Sequence, residues 1–163
     1  MPGVKEEWAH LAHRFAGSLS PRPPAAADAA WATAQLLPGE QTLWDKMSNP
    51  DRRHAVGVGR EVVRRLGSDA TRPVVAAALL HDVGKLDSGL GTFARVAATL
   101  VDRRDGDGRF ARYRRHDELG AAMLTAAGSD ALTVAWAREH HLAPARWTLP
   151  RTVADALKAA DDD

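Results

Sequence analysis

The sequence predicts an all-α protein, a compact helical bundle, and three observations carry that reading. Ala, Leu and Arg dominate the 163 residues. Gly and Pro fall between apolar-periodic segments, where they punctuate helices. No stretch shows the apolar/polar alternation of a half-buried strand.

The elements follow in order. Residues 5–17 are expected to form a short amphipathic helix with Trp8, Leu11 and Phe15 on one face. Ser18 to Pro24 is a proline-broken connection. A second helix over 25–37 is expected to end at Pro38-Gly39, with a short one over 41–47. Asn49-Pro50-Asp51 reads as a helix start, with Asn as cap, Pro first and an acid beside it. That helix runs to Leu66 and stops at Gly67. Thr71 caps an apolar helix from Pro73 to about Asp82, closed by Gly84. Another covers Ser88 to Arg103, before a turn at Asp105-Gly106-Asp107-Gly108. Further helices are expected over 110–127, over 130–142 and from Pro150 onward. The chain length suits one core. Within it, residues 1–48 are expected to pack as N-terminal helices on a metal-binding domain over 49–163.

Composition narrows the chemistry. With 45% hydrophobic and 26% charged residues the chain is of globular type, and its net charge of +1 gives no pull toward nucleic acid or membrane. The N-terminal residues lack a signal-peptide pattern, and the apolar run Val74 to Leu80 is too short to span a bilayer, so a cytoplasmic enzyme is expected. Cysteine is absent. Any metal must therefore be held by imidazole and carboxylate, which suits Fe, Mn, Ni, Co or Zn.

Five of the seven histidines form an ordered series: His54, His81, His116 and the pair His140-His141. Asp82 follows His81, and Asp161 lies near the C-terminal end after Ala159-Ala160. These positions fall on different predicted helices, as a metal site inside a bundle requires. A lone helical histidine is more often a packed or surface residue. The apolar run Ala76-Ala77-Ala78-Leu79-Leu80 before His81-Asp82 changes that weighting, because it drives the pair into the core. Burying His and Asp there without partners would cost ~2–7 kcal/mol, and a bound cation removes the penalty.

The order His, His-Asp, His, His-His, Asp resembles the HD-domain superfamily of metal-dependent phosphohydrolases, and Leu79-Leu80-His81-Asp82-Val83-Gly84-Lys85 is very close to its central signature. The extra histidines resemble the binuclear members, including the HD-GYP phosphodiesterases. The resemblance implies two divalent metals bridged by Asp82, with His54, His81 and Asp161 completing one set and His116, His140 and His141 the other. It implies a water or hydroxide nucleophile between the metals. Lys85 would neutralise a phosphate oxygen of a small nucleotide or related metabolite, or assist the leaving group. Asp162 and Asp163 adjoin Asp161 and are alternatives for the last ligand. The segment after His141 lacks the Gly-Tyr-Pro tripeptide, which weakens cyclic di-GMP as a substrate. A mixed-valent di-iron oxygenase and a non-catalytic binding or regulatory module are the alternatives on the same ligand set.

Arg103, Arg104, Arg109, Arg112, Arg114 and Arg115 crowd the approach to His116, and Arg112 shares its helical face. A solvated face is the more frequent meaning of such a cluster; Arg112 is the candidate substrate-phosphate contact. His10 and His13 read as surface residues. Trp31, Trp44, Trp136 and Trp147 read as core or pocket wall, with Trp147 the best pocket candidate.

Overall fold

The computed structural model describes residues 21–88 and 106–163, with side chains described over 21–86 and 115–163. It is all-α, with no strand among the described residues. Seven α-helices are described: α1 (Ala26–Ala34), α2 (Pro38–Lys46), α3 (Asn49–Leu66), α4 (Arg72–Leu80), α5 (Gly106–Ala126), α6 (Ala131–Glu139) and α7 (Arg151–Asp162). Short 3-10 segments lie at Gly67–Asp69, Val83–Ser88 and Pro144–Arg146. None of the described helices is long and apolar enough to cross a membrane. The predicted helix over 5–17 and nearly all of that over 88–103 lie outside the described residues, as does the side chain of Arg112.

Pro38 opens a helix instead of closing one. The residue before a proline is pushed out of the α region, and Leu37 sits at φ −68°, ψ 158°. That ends α1 at Ala34, three residues earlier than predicted. A proline at the first helical position loses no hydrogen bond, and the Glu40 carboxylate accepts the Leu37 N–H at 2.8 Å. The cap of α3 is likewise Ser48, not Asn49: Ser48 Oγ accepts the Asp51 N–H at 3.2 Å. Asn49 turns outward, donating to the Pro21 carbonyl at 2.9 Å. The predicted stop at Gly67 is present, with φ at +55°, a conformation that costs glycine little. Helix α5 begins at Gly106, inside the predicted 105–108 turn.

Gly84 does not cap a helix either. Its φ is not positive, and it lies within the 3-10 segment 83–88 that packs against α5. A Cβ built there would overlap the His116 carbonyl and come within 2.9 Å of the Gly120 nitrogen. Glycine is present because two backbones meet.

Helix α4 is the centre of the molecule. Val74 to Leu80 are all buried, and they divide between two apolar clusters. Val75, Ala76, Leu79 and Leu80 join Trp44, Val83 and Leu124, whereas Val74, Ala77 and Ala78 join Val62, Trp136 and Leu157. Each buried leucine contributes about 2 kcal/mol. The alanines let α3 and α6 close on α4, and α7 packs on α3. The C-terminal ends of α4 and α6, with α5 and the last turn of α7, thereby converge.

Candidate metal centre

Helix α4 ends at Leu80, leaving His81 and Asp82 in the turn that follows. Helix ends leave carbonyls without an intrahelical partner. His81 uses one: its Nδ1 lies 2.8 Å from the Ala78 oxygen. His140 repeats the device just beyond α6, with Nδ1 at 3.1 Å from both the Trp136 and Ala137 oxygens. A carbonyl only accepts, so Nδ1 of each ring carries a proton. The lone pair of each neutral imidazole then sits on Nε2. Both Nε2 atoms are buried without a hydrogen-bond partner among the described residues, as is His116 Nδ1.

The atoms they face are acceptors. His81 Nε2 lies 3.5 Å from Asp82 Oδ2 and 3.3 Å from Asp161 Oδ1. His54, on α3, brings its Nε2 to 3.1 Å from the same Asp161 oxygen. His140 Nε2 lies 3.8 Å from Asp82 Oδ1 and 3.9 Å from Asp117 Oδ1. His141 Nδ1 is 2.9 Å from Asp117 Oδ1. The two oxygens of Asp82 thus face different histidines, and Oδ2 also receives Lys85 Nζ at 2.5 Å.

Donor atoms within 4.8 Å of one another form two groups that could hold a metal ion, His54 with His81 and Asp82, and Asp117 with His140 and His141. Buried lone pairs turned toward carboxylates demand positive charge between them, so the donor set fits divalent cations bound through N and O. Fixing the second ring nitrogen on a backbone carbonyl is what metal-ligating histidines ordinarily require.

The electrostatics express the same demand. Burial disfavours a charge on His81, yet the Asp82 and Asp161 carboxylates outweigh it and raise the imidazole from 6.5 to about 9. Burial likewise opposes ionisation of Asp82, but the charges of Lys85 and His81 hold its carboxyl well below the usual range. Asp161 is depressed against burial by the imidazoles of His54 and His81 beside it. For the metal-free protein a pH dependence follows. The His81 contribution to stability is fully present below 6.5 and is lost as pH rises through about 9. Those of Asp82 and Asp161 are present above 3.8 and lost on acidification. Chelator-treated protein should therefore unfold at lower urea concentration at pH 9.5 than at pH 6; equal midpoints would contradict the raised His81.

Of the residues singled out in the sequence, His54, His81, Asp82, Lys85, His140, His141 and Asp161 are brought together. His116 stands in neither group, although its Nδ1 is buried. Asp162 binds Lys158 at 2.6 Å, and Asp163 binds Arg65 at 2.5 Å. Both are exposed, Asp163 just beyond the end of α7, whereas Asp161 faces His54 and His81. Trp147 is tied to the end of α6, with its ring against Trp136 at 5.5 Å and its N–H on the Glu139 carbonyl at 3.0 Å.

Two residues carry no mark in the sequence reading. Asp117 is 6% exposed and joins the second group. The available signal was that His116-Asp117 repeats the His81-Asp82 dipeptide. Glu139 is buried and accepts the Thr148 N–H at 2.6 Å and its hydroxyl at 2.7 Å, anchoring the segment beyond the paired histidines. No spacing rule points to it.

A family model described as HD domain matches residues 53–162. No curated protein and no solved structure matches the chain.

Proposed function

Since the chain belongs to the HD-domain family of metal-dependent phosphohydrolases, we propose that it hydrolyses a phosphoester of a small nucleotide or related metabolite at a two-metal site. The observation that carries this reading is the carboxylate of Asp82, whose two oxygens face the buried, unpartnered Nε2 atoms of His81 and His140. A shared ligand between two ions is the natural role for such a group. In the proposal His54, His81 and Asp161 complete the first ion's set, and His116, His140 and His141 serve the second. Two bound divalent ions supply a water of lowered pKa and a clamp on the phosphoryl oxygens.

The chain's own groups do the rest. Depressed carboxyls keep Asp82 and Asp161 ionised and ready to bind cations at neutral pH. Lys85, 36% exposed and anchored on Asp82, holds a positive charge at the edge of the site, where it can meet a substrate phosphate oxygen. The carbonyls of Ala78, Trp136 and Ala137 hold the imidazoles of His81 and His140 in one orientation and one tautomer. In the proposal Arg112 is a second phosphate contact, and the enzyme is cytoplasmic.

Purified protein loaded with Mn, Fe, Ni or Co should turn over generic phosphodiester or phosphomonoester reporters and stop on chelation. Absence of turnover with every metal, at a demonstrably occupied site, would falsify the proposal. Replacing Lys85 by Ala should lower kcat by about 100-fold, the scale of one preorganised electrostatic contact, with metal content unchanged. A wild-type kcat would remove Lys85 from the reaction.

A further inference from the structure

We infer that Asp117 is a direct ligand of the second ion, a carboxylate absent from the ligand series that the sequence displays; the inference rests on the two-metal reading above. Three lone-pair-bearing atoms converge at the end of α6. They are His140 Nε2, Asp82 Oδ1 and Asp117 Oδ1, with the nitrogen 3.8 Å and 3.9 Å from the two oxygens. These separations are too long for hydrogen bonds. They match donors arranged around one cation, which lie roughly 3–4 Å apart when the metal bonds are near 2.1 Å.

The protein's own groups reach the two carboxylates, Lys85 at Asp82 Oδ2 and His141 at Asp117, and leave the His140 nitrogen unpartnered among the described residues. The His140 ring is 2% exposed, its Nδ1 proton is committed to the last carbonyls of α6, and its Nε2 has no hydrogen-bond partner among the described residues. Asp117 is nearly as buried, at 6%. A nitrogen 3.8–3.9 Å from two buried carboxylate oxygens is too far for one proton to bridge well, and a cation between the three atoms fits the spacing better. His141 Nδ1, 2.9 Å from Asp117 Oδ1, lies at the edge length expected for a neighbouring ligand of the same ion.

The assignment has a chemical consequence. With Asp117 the second ion gains a hard oxygen donor, and three carboxylates (Asp82, Asp117 and Asp161) face the two ions. An oxygen-richer set favours Mn or Fe over softer ions at this position. The extra negative charge also lowers the net positive field that an anionic substrate meets, which gives Lys85 more of the anion-binding role.

The test uses the intact protein and Mn(II). Wild type should take up two ions per chain and give the EPR spectrum of a spin-coupled pair. Asp117→Asn should keep the first ion and bind the second more weakly by over ~100-fold, beyond the ~10–100-fold loss typical of an outer-shell partner. Its spectrum should become that of isolated Mn(II). Two ions bound with wild-type affinity by Asp117→Asn would overturn the assignment, as would a wild type that takes up one ion only. Anomalous diffraction of the wild type at the Mn edge decides the matter even if the variant does not fold. A second peak about 2.2 Å from an Asp117 oxygen is expected; a peak beyond bonding distance, with only His141 between, would make Asp117 a positioning residue instead. Reporter turnover separates the two proposals. A peak on Asp117 in a protein that hydrolyses nothing retains the ligand and discards the hydrolase, whereas turnover with two ions bound and no peak on Asp117 does the reverse.

Discussion

Asp82→Asn is expected to lower kcat/KM for any phosphoester reporter by about a thousandfold or more, the equivalent of ~4 kcal/mol of transition-state stabilisation. The substitution keeps the shape of the side chain and removes its charge. Oδ2 faces His81 and Lys85, and Oδ1 faces His140, so in the proposed two-metal site one change would weaken the hold on both ions and release Lys85 from its anchor. Steady-state kinetics should be paired with metal analysis of the same sample. A variant within tenfold of wild type, with two ions still bound, would show that Asp82 is not the shared ligand.

Gly84→Ala should destabilise the fold by about 3 kcal/mol, at the upper end of overpacking costs. The new methyl meets the backbone of His116 and Gly120, which cannot rotate away as a side chain would. Helix α5 must shift, and Asp117 shifts with it. Urea unfolding and Mn(II) binding should therefore worsen together. Gly57→Ala is the matched control: a Cβ there meets nothing within 4 Å, and replacing a helical glycine should leave stability equal or raised by up to about 1 kcal/mol. If Gly84→Ala is as harmless as Gly57→Ala, the close approach of the 83–88 segment to α5 is not a constraint.

Gly84 also marks the boundary of what the sequence reveals. Its place after an apolar helix matches a C-cap, and only the coordinates show a contact with residues more than thirty positions away. Local chemistry reads well: the stop at Gly67 and the burial of Val74 to Leu80 follow from residue type and periodicity. Pro38 is ambiguous in the sequence because proline both ends and begins helices, and the deciding contact is the Glu40 side chain on the Leu37 N–H. The metal-site histidines stood out because imidazoles in apolar contexts are conspicuous. Asp117 did not, since an acid beside a histidine on an arginine-rich helix looks solvent-facing until α6 is packed against it.

The meeting of His54 with Asp161 has a meaning for the chain as a polymer. The two residues are 107 positions apart and join the first long helix of the matched region to the last. Closing a loop of that length costs conformational entropy that grows only with the logarithm of its contour, so most of the cost is incurred simply by bringing the ends together. An ion gripped by both residues acts as a reversible cross-link of the folded state, as a disulfide would in a chain that has cysteine. Its contribution rises with free metal concentration relative to the dissociation constant. In the two-metal reading, docking of α7 on α3 would thereby be coupled to metal supply, and an ion proposed for the reaction would also fasten the two ends of the domain.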